Sequence, residues 1–251
     1  MQYLLGGLIA AFIALTGVGA GTITVPLLIL FLHVPAVVAV TVGLMYSAAV
    51  KLILVPAQIW RKNVSWKVLG FMLAGGAPGV LIGALLLRRF AGPGAERGVE
   101  GVLGLILIFT AVYQIIFSFR PVTARPENQN KLRLLPLLML PVGAEVGFSS
   151  AGAGALGSAA LLTLTQLTPA QVVGTDILFG FTLSLLGGSA HWFAHTLNAH
   201  LLLHMVEGGA IGAVLGTLLA PRVPKRPLRF ALWIWLLLIG SMFVYRIFFA
   251  G

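Results

Sequence analysis

The sequence predicts an all-α polytopic membrane protein made by internal duplication, and three observations carry the prediction. Of its 251 residues, 59% are hydrophobic and 9% charged, with a mean hydropathy of +1.04, far from the usage of soluble domains. The apolar residues fall in runs over 3–32, 36–59, 66–87, 98–119, 132–166, 170–190, 200–220 and 228–249. Most of these match the ~20 residues that cross hydrocarbon as a helix, and none alternates as a barrel strand does. The third observation is self-similarity at an offset of about 133 residues.

The net charge of +10 sits almost wholly on Lys and Arg in the connectors between apolar runs. That is the pattern of a multi-pass protein of the cell (inner) membrane in a lipid bilayer, and it needs no nucleic acid as partner. With no cysteine in the chain, thiolate metal sites and thiol catalysis are excluded. The apolar N-terminus lacks the basic n-region of a signal peptide and is expected to stay in place.

The first run breaks at LTGVGAGTITVP, residues 15–26, leaving arms 3–16 and 22–32. Neither arm spans ~30 Å at 1.5 Å per residue, so the run is a broken span or a re-entrant hairpin. Residues 36–59 form a span carrying Thr41, Ser47 and Lys51. The next, 66–87, has glycines at 75, 79 and 83 on one face, a face that lets another helix approach closely. Residues 98–119 close the first half, and 120–131 are a polar linker. The run 132–166 breaks in turn at SSAGAGALGSAA, 170–190 opens on Thr175 and Asp176, 200–220 has glycines at 208, 212 and 216, and 228–249 ends the chain.

The halves correspond in order. Gly19, Ala20 and Gly21 align with Gly152, Ala153 and Gly154, and Pro35, Ala36, Val38 and Thr41 with Pro169, Ala170, Val172 and Thr175. GGAPGVLIG aligns with GGAIGAVLG. The chain therefore reads as two repeats of four hydrophobic segments each, 1–119 and 132–251. Charge bias arbitrates between the two geometries of the broken runs. If both span, the two faces carry 8 and 7 Lys and Arg; if both are re-entrant, they carry 11 and 4. The positive-inside rule favours the second count, which makes the repeats inverted, puts 60–67 and 221–229 in the cytoplasm, and lets the breaks meet near the centre.

Glycine-rich break, P-L-L run, Pro-Ala connector, A-V-x-T or V-V-G-T helix start, basic connector with Asn, and G-x-x-x-G helix together resemble the TauE/SafE sulfite-exporter family, also called TSUP. The resemblance covers nearly the whole chain. It implies a transporter of small sulfur-containing anions such as sulfite, thiosulfate or organosulfonates, coupled to protons, with no cofactor and no enzymatic activity.

Backbone left unpaired at membrane depth is tolerated only where protein or a water-filled cavity receives it. The breaks, with Gly17, Gly19, Gly21, Thr22, Gly152 and Gly154, are therefore expected to build an anion site from amides and half-helix N-termini; the competing reading is a pair of kinks that ease packing. Four ionisable residues lie inside apolar runs: Lys51, Glu145, Asp176 and Glu207. Facing lipid, each costs ~2.5–3.5 kcal/mol on insertion scales, so all four are expected to face the interior. Lys51, with Ser47 one turn away, is read as the substrate's countercharge or as half of a structural ion pair. Thr41 and Thr175 can offer hydroxyls to oxyanion oxygens or serve as local caps. Asp176, then Glu145, then Glu207 are the candidate proton carriers. His200, His204 and Glu207 share one helix face, where His204 suits a proton relay better than a metal site and interfacial histidines are the plain alternative. A channel-like anion pore without coupling is the second functional reading. An intramembrane enzyme lacks a nucleophile–base pair or metal triad.

Overall fold

Glycine decides where the helices break and which of them touch. The computed structural model describes residues 2–16, 20–90, 96–119, 132–151, 153–192, 197–219, 223 and 225–249. Among these lie ten α-helices: α1 Gln2–Thr16, α2 Ala20–Leu32, α3 Ala36–Trp60, α4 Trp66–Phe90, α5 Glu96–Phe119, α6 Leu135–Ser149, α7 Ala153–Leu164, α8 Pro169–Trp192, α9 Ala199–Leu219 and α10 Lys225–Phe249. Six of them, α3, α4, α5, α8, α9 and α10, and the stretch Leu132–Ser149 that contains α6, are long and apolar enough to cross a membrane. The other three, α1, α2 and α7, have 15, 13 and 12 residues, about 18–22 Å of rise. The runs 3–32 and 132–166 are thus each split in two. Gly17, Gly19 and Gly152 lie outside the described residues.

Polar side chains fix several helix starts. Thr168 and Gln171 exchange bonds ahead of α8: the Gln171 N–H donates to Thr168 Oγ1 (3.3 Å) and the Thr168 N–H to Gln171 Oε1 (3.1 Å), a capping box. Asn198 Oδ1 accepts the Leu201 N–H at 3.1 Å at the start of α9. Left-handed backbone at His33, Lys62 and Ser150 (φ 50, 55 and 63) turns the chain after α2, α3 and α6. The exposed indoles of Trp60 and Trp66 lie at one end of the bundle and Trp192 at the other, as interfacial aromatics do.

The register of close contacts gives the helix directions. On α4, Gly75, Gly79 and Gly83 lie against the backbone carbonyls of Pro136, Leu140 and Ala144, so α4 and α6 are parallel. On α9, Gly208, Gly212 and Gly216 lie against those of Tyr3, Gly7 and Ala11, so α1 and α9 are parallel. Gly76 meets Phe179 and Gly187 meets Val80, making α4 and α8 parallel, whereas Gly187 meets Leu44 and Ser184 bonds Ser47, making α3 and α8 antiparallel. Since α6 and α8 both run with α4, the short α7 between them returns to the end from which α6 came. By the same reasoning α9 turns back from α8 and runs with α3; α1, parallel to α9, also runs with α3, and α2 is the return arm. The two broken runs are hairpins entering from opposite ends, and they meet where Gly21 packs on Ser150.

Candidate functional site

At that meeting point the backbone has two unusual properties. Helices α2 and α7 both begin there, at Ala20 and Ala153, so the unpaired N–H groups and positive dipole ends of two helices converge. Ser150 sits between them with left-handed backbone, its N–H held by the Val146 carbonyl, and its buried Oγ has no hydrogen-bond partner among the described residues. That hydroxyl is aimed at Gly21 and Gly43, where any side chain would collide with it or crowd it. Neighbouring Ser149 turns inward: its Oγ donates to the Glu145 carbonyl (2.8 Å) and accepts the Ala151 N–H (3.2 Å). Thr22 on α2 is buried beside the contact, and Gly154 is in the first turn of α7.

A second polar group runs along the crossing of α3 and α8. Lys51 Nζ lies 3.4 Å from Ser184 Oγ, which donates to Ser47 Oγ at 3.2 Å. Lys51 forms no ion pair among the described residues, where the bridge that does form is Arg246–Glu100 at 3.8 Å near the membrane surface. Asp176 is buried on the same helix as Ser184, within electrostatic reach of Lys51. Ser158 of α7 donates to its Oδ2 at 2.7 Å, while Oδ1 is buried without a hydrogen-bond partner and presses on Gly157. The acid therefore grips the returning arm of the second hairpin, the arm whose N-terminus reaches the meeting point.

The remaining expected site residues are dispersed. Thr175 Oγ1 accepts the Ser65 N–H (3.0 Å) at the start of α4, and Thr41 Oγ1 donates to the Val37 carbonyl (2.8 Å); they lie toward opposite ends of the bundle and serve backbone groups. His204 Nδ1 is 2.8 Å from Gln2 Oε1, its ring tilted against Tyr3 and edge-on to His200. Glu145 faces a lateral cavity, bonded to Thr110. Glu207 corrects the expectation that all four ionisable residues face inward: it is exposed on α9 between exposed Leu203 and Ile211, because the glycines of that helix already claim its packed face. Among the described residues no three His, Asp or Glu could hold a metal.

Ser158 and Ser184 were not legible as partners beforehand. Ser184 lies eight residues, two turns, after Asp176 and so shares its face; Ser158 carries no spacing signal.

A family model described as sulfite exporter TauE/SafE matches residues 3–243. The chain is similar to the probable membrane transporter protein YjnA of Bacillus subtilis (strain 168), 29% identical over 235 residues covering 90% of this chain and 92% of that protein. YunE of the same organism, also a probable membrane transporter protein, is 26% identical over 268 residues, 96% and 95% of the two chains. A probable membrane transporter protein of Xylella fastidiosa is 26% identical over 231 residues, 87% and 83%. No solved structure matches. With hairpins, membrane-length helices and a family match over nearly its full length, the chain belongs to the sulfite exporter TauE/SafE family and is a multi-pass membrane transporter.

Proposed function

We propose that the protein carries a small sulfur-containing anion (sulfite, thiosulfate or an organosulfonate) by alternating access, bound where the two hairpins meet and coupled to protons through Asp176. The observation that carries this reading is the buried Ser150 hydroxyl, without a partner among the described residues, between the starts of α2 and α7. An oxyanion brings only acceptors, and this place offers a hydroxyl and two sets of helix N–H groups, which favour negative charge. Lys51, hydrogen-bonded rather than ion-paired, supplies a compensating charge on α3 just over two turns, about 12 Å, beyond Gly43. Thr41 and Thr175, which serve backbone groups, fall to a supporting role. Asp176 is the first choice as coupler because its carboxyl takes a hydrogen bond from the returning arm of the second hairpin; the Glu145 carboxyl is bonded to Thr110 of α5 instead, His204 meets Gln2 of α1, and Glu207 is exposed on α9.

Alternating access rests on the reading of the chain as inverted repeats. Supporting that reading is the exchange of contacts between halves: adding 133 to 75, 79 and 83 gives 208, 212 and 216, and subtracting 133 from 136, 140 and 144 gives 3, 7 and 11. Such related halves have two equivalent ways to enclose a central ligand, whereas a pore without coupling has no use for the Asp176–Ser158 bond. The test is a thermal-shift panel on purified protein with sulfite, thiosulfate, sulfate, taurine, sulfoacetate and chloride. One or more sulfur anions are expected to raise the melting temperature; a shift with chloride or a cation alone would overturn the assignment.

A further inference from the structure

His191 closes the buried face of α8. It follows Ser184 and Gly187 by two turns and one turn, the spacing of a single helix face, and it is fully buried although its neighbour Trp192 is exposed. Gly187 packs on Val80 of α4 and Leu44 of α3. One turn further on, the imidazole reaches α6, where Nε2 lies 3.1 Å from the Gly147 carbonyl. A carbonyl only accepts, so Nε2 carries the proton and donates it. On the reading that the anion binds where the hairpins meet, we propose that His191 is a positioning residue of that site: it caps the entering arm of the second hairpin at Gly147 and so holds the Ser150 turn.

The need for a cap follows from the direction of α6. Its C-terminal end, the negative end of its dipole, points at the same place as the starts of α2 and α7. Bare carbonyls there would repel an anion and offset what the helix N–H groups offer it. Three carbonyls of the last turns of α6 are taken: that of Glu145 by the Ser149 hydroxyl (2.8 Å), that of Val146 by the Ser150 N–H (2.8 Å) and that of Gly147 by His191. The donor that would continue the helix to Gly147, the Ala151 N–H, bonds Ser149 Oγ instead (3.2 Å), because Ser150 turns the backbone left-handed. A neighbouring helix therefore supplies what the turn gives up, and an N–H near a helix C-terminus is favoured by the dipole as well. Gly147 lies one turn before Ser150 and packs on α4 at Val80 and Ala84, so the cap ties the turn to α4 and α8 together.

Three substitutions on the full-length protein separate a cap from a space-filling group. The amide nitrogen of glutamine can take the place of Nε2, that of asparagine falls short of it, and leucine fills the space with no donor. In hydrogen–deuterium exchange, the amides of Ser150 and Ala151 are expected to exchange about tenfold faster in His191→Leu and His191→Asn, and at the wild-type rate in His191→Gln. Sulfite affinity, titrated on the same proteins, should fall about tenfold in the first two and stay within about twofold of wild type in His191→Gln. Nitrogen NMR of histidine-labelled protein, with the His191 signals assigned by their absence from His191→Gln, should show a proton on Nε2. A bare Nε2 would overturn the proposal, as would equal exchange in His191→Gln and His191→Leu or an unchanged sulfite affinity in His191→Leu. If the wild type binds no sulfite, the substrate assignment is at fault, and the nitrogen signals and exchange rates still decide the cap.

Discussion

Lys51 and Asp176 face the same crossing of α3 and α8 from different helices, and changing each should break a different step. Lys51→Met removes the charge nearest the anion's path and is expected to weaken anion binding at least about tenfold, ~1.4 kcal/mol, measured by titration of purified protein. Binding as tight as wild type would make Lys51 a structural group of the Ser47–Ser184 chain. Asp176→Asn mimics the protonated acid and keeps an acceptor for Ser158. It should retain substrate counterflow in proteoliposomes and lose accumulation driven by a pH gradient; retained accumulation would remove Asp176 as coupler. Both residues stood out in the sequence because a charge in an apolar run has few uses. The serines that complete their surroundings did not, since serine is inexpensive in a membrane helix and its partner depends on tertiary packing. Thr41 and Thr175 are harder to read for a related reason: a threonine's place along a helix says nothing of where its hydroxyl points, and here the Thr41 hydroxyl donates to the Val37 carbonyl while that of Thr175 accepts the Ser65 N–H.

Between elements, the glycine stripes were readable as packing faces from their four-residue spacing, but the helix each would meet was not. That partner is set by how hairpins enter the bundle, a property of the whole chain. Gly79 and Gly212 each sit directly on a carbonyl of the facing helix, Leu140 and Gly7, so a side chain must push the helices apart. Gly79→Val or Gly212→Val should lower stability by about 1–3 kcal/mol or more, seen as a lower melting temperature and a smaller monodisperse yield. Gly70→Ala is the control: nothing lies within 4 Å of the added carbon, and the better helix former should leave stability unchanged or raised by about 0.5–1 kcal/mol. Equal losses in all three variants would mean that the stripes do not pack as described. Glu207 was misjudged at this same scale, because the direction of a helix's packed face is settled by its glycines and not by its charges.

Across the whole molecule, α3, α5 and α9 end on one face, the one that gathers the connectors richest in Lys and Arg. Single cysteines replacing Asn63 and Lys225 should both react with a membrane-impermeant reagent only from the cytoplasmic side, and one replacing His33 only from outside. Opposite labelling of Asn63 and Lys225 would exclude the hairpin arrangement. The parallel pairing of α1 with α9 also has a consequence in time. At a synthesis rate of roughly 5–20 residues per second, the stretch from Gly208 to Gly216 leaves the ribosome roughly 10–40 seconds after the stretch from Tyr3 to Ala11 that it must receive. Until then α1 lies in the bilayer with carbonyls prepared for a neighbour that does not yet exist. The glycines of α4 wait only for α6, about 60 residues on and roughly 3–12 seconds. Assembly therefore begins in the middle of the chain, and the first helix waits longest for its partner, so the N-terminal arm is the piece that a membrane protease or insertion chaperone meets unprotected.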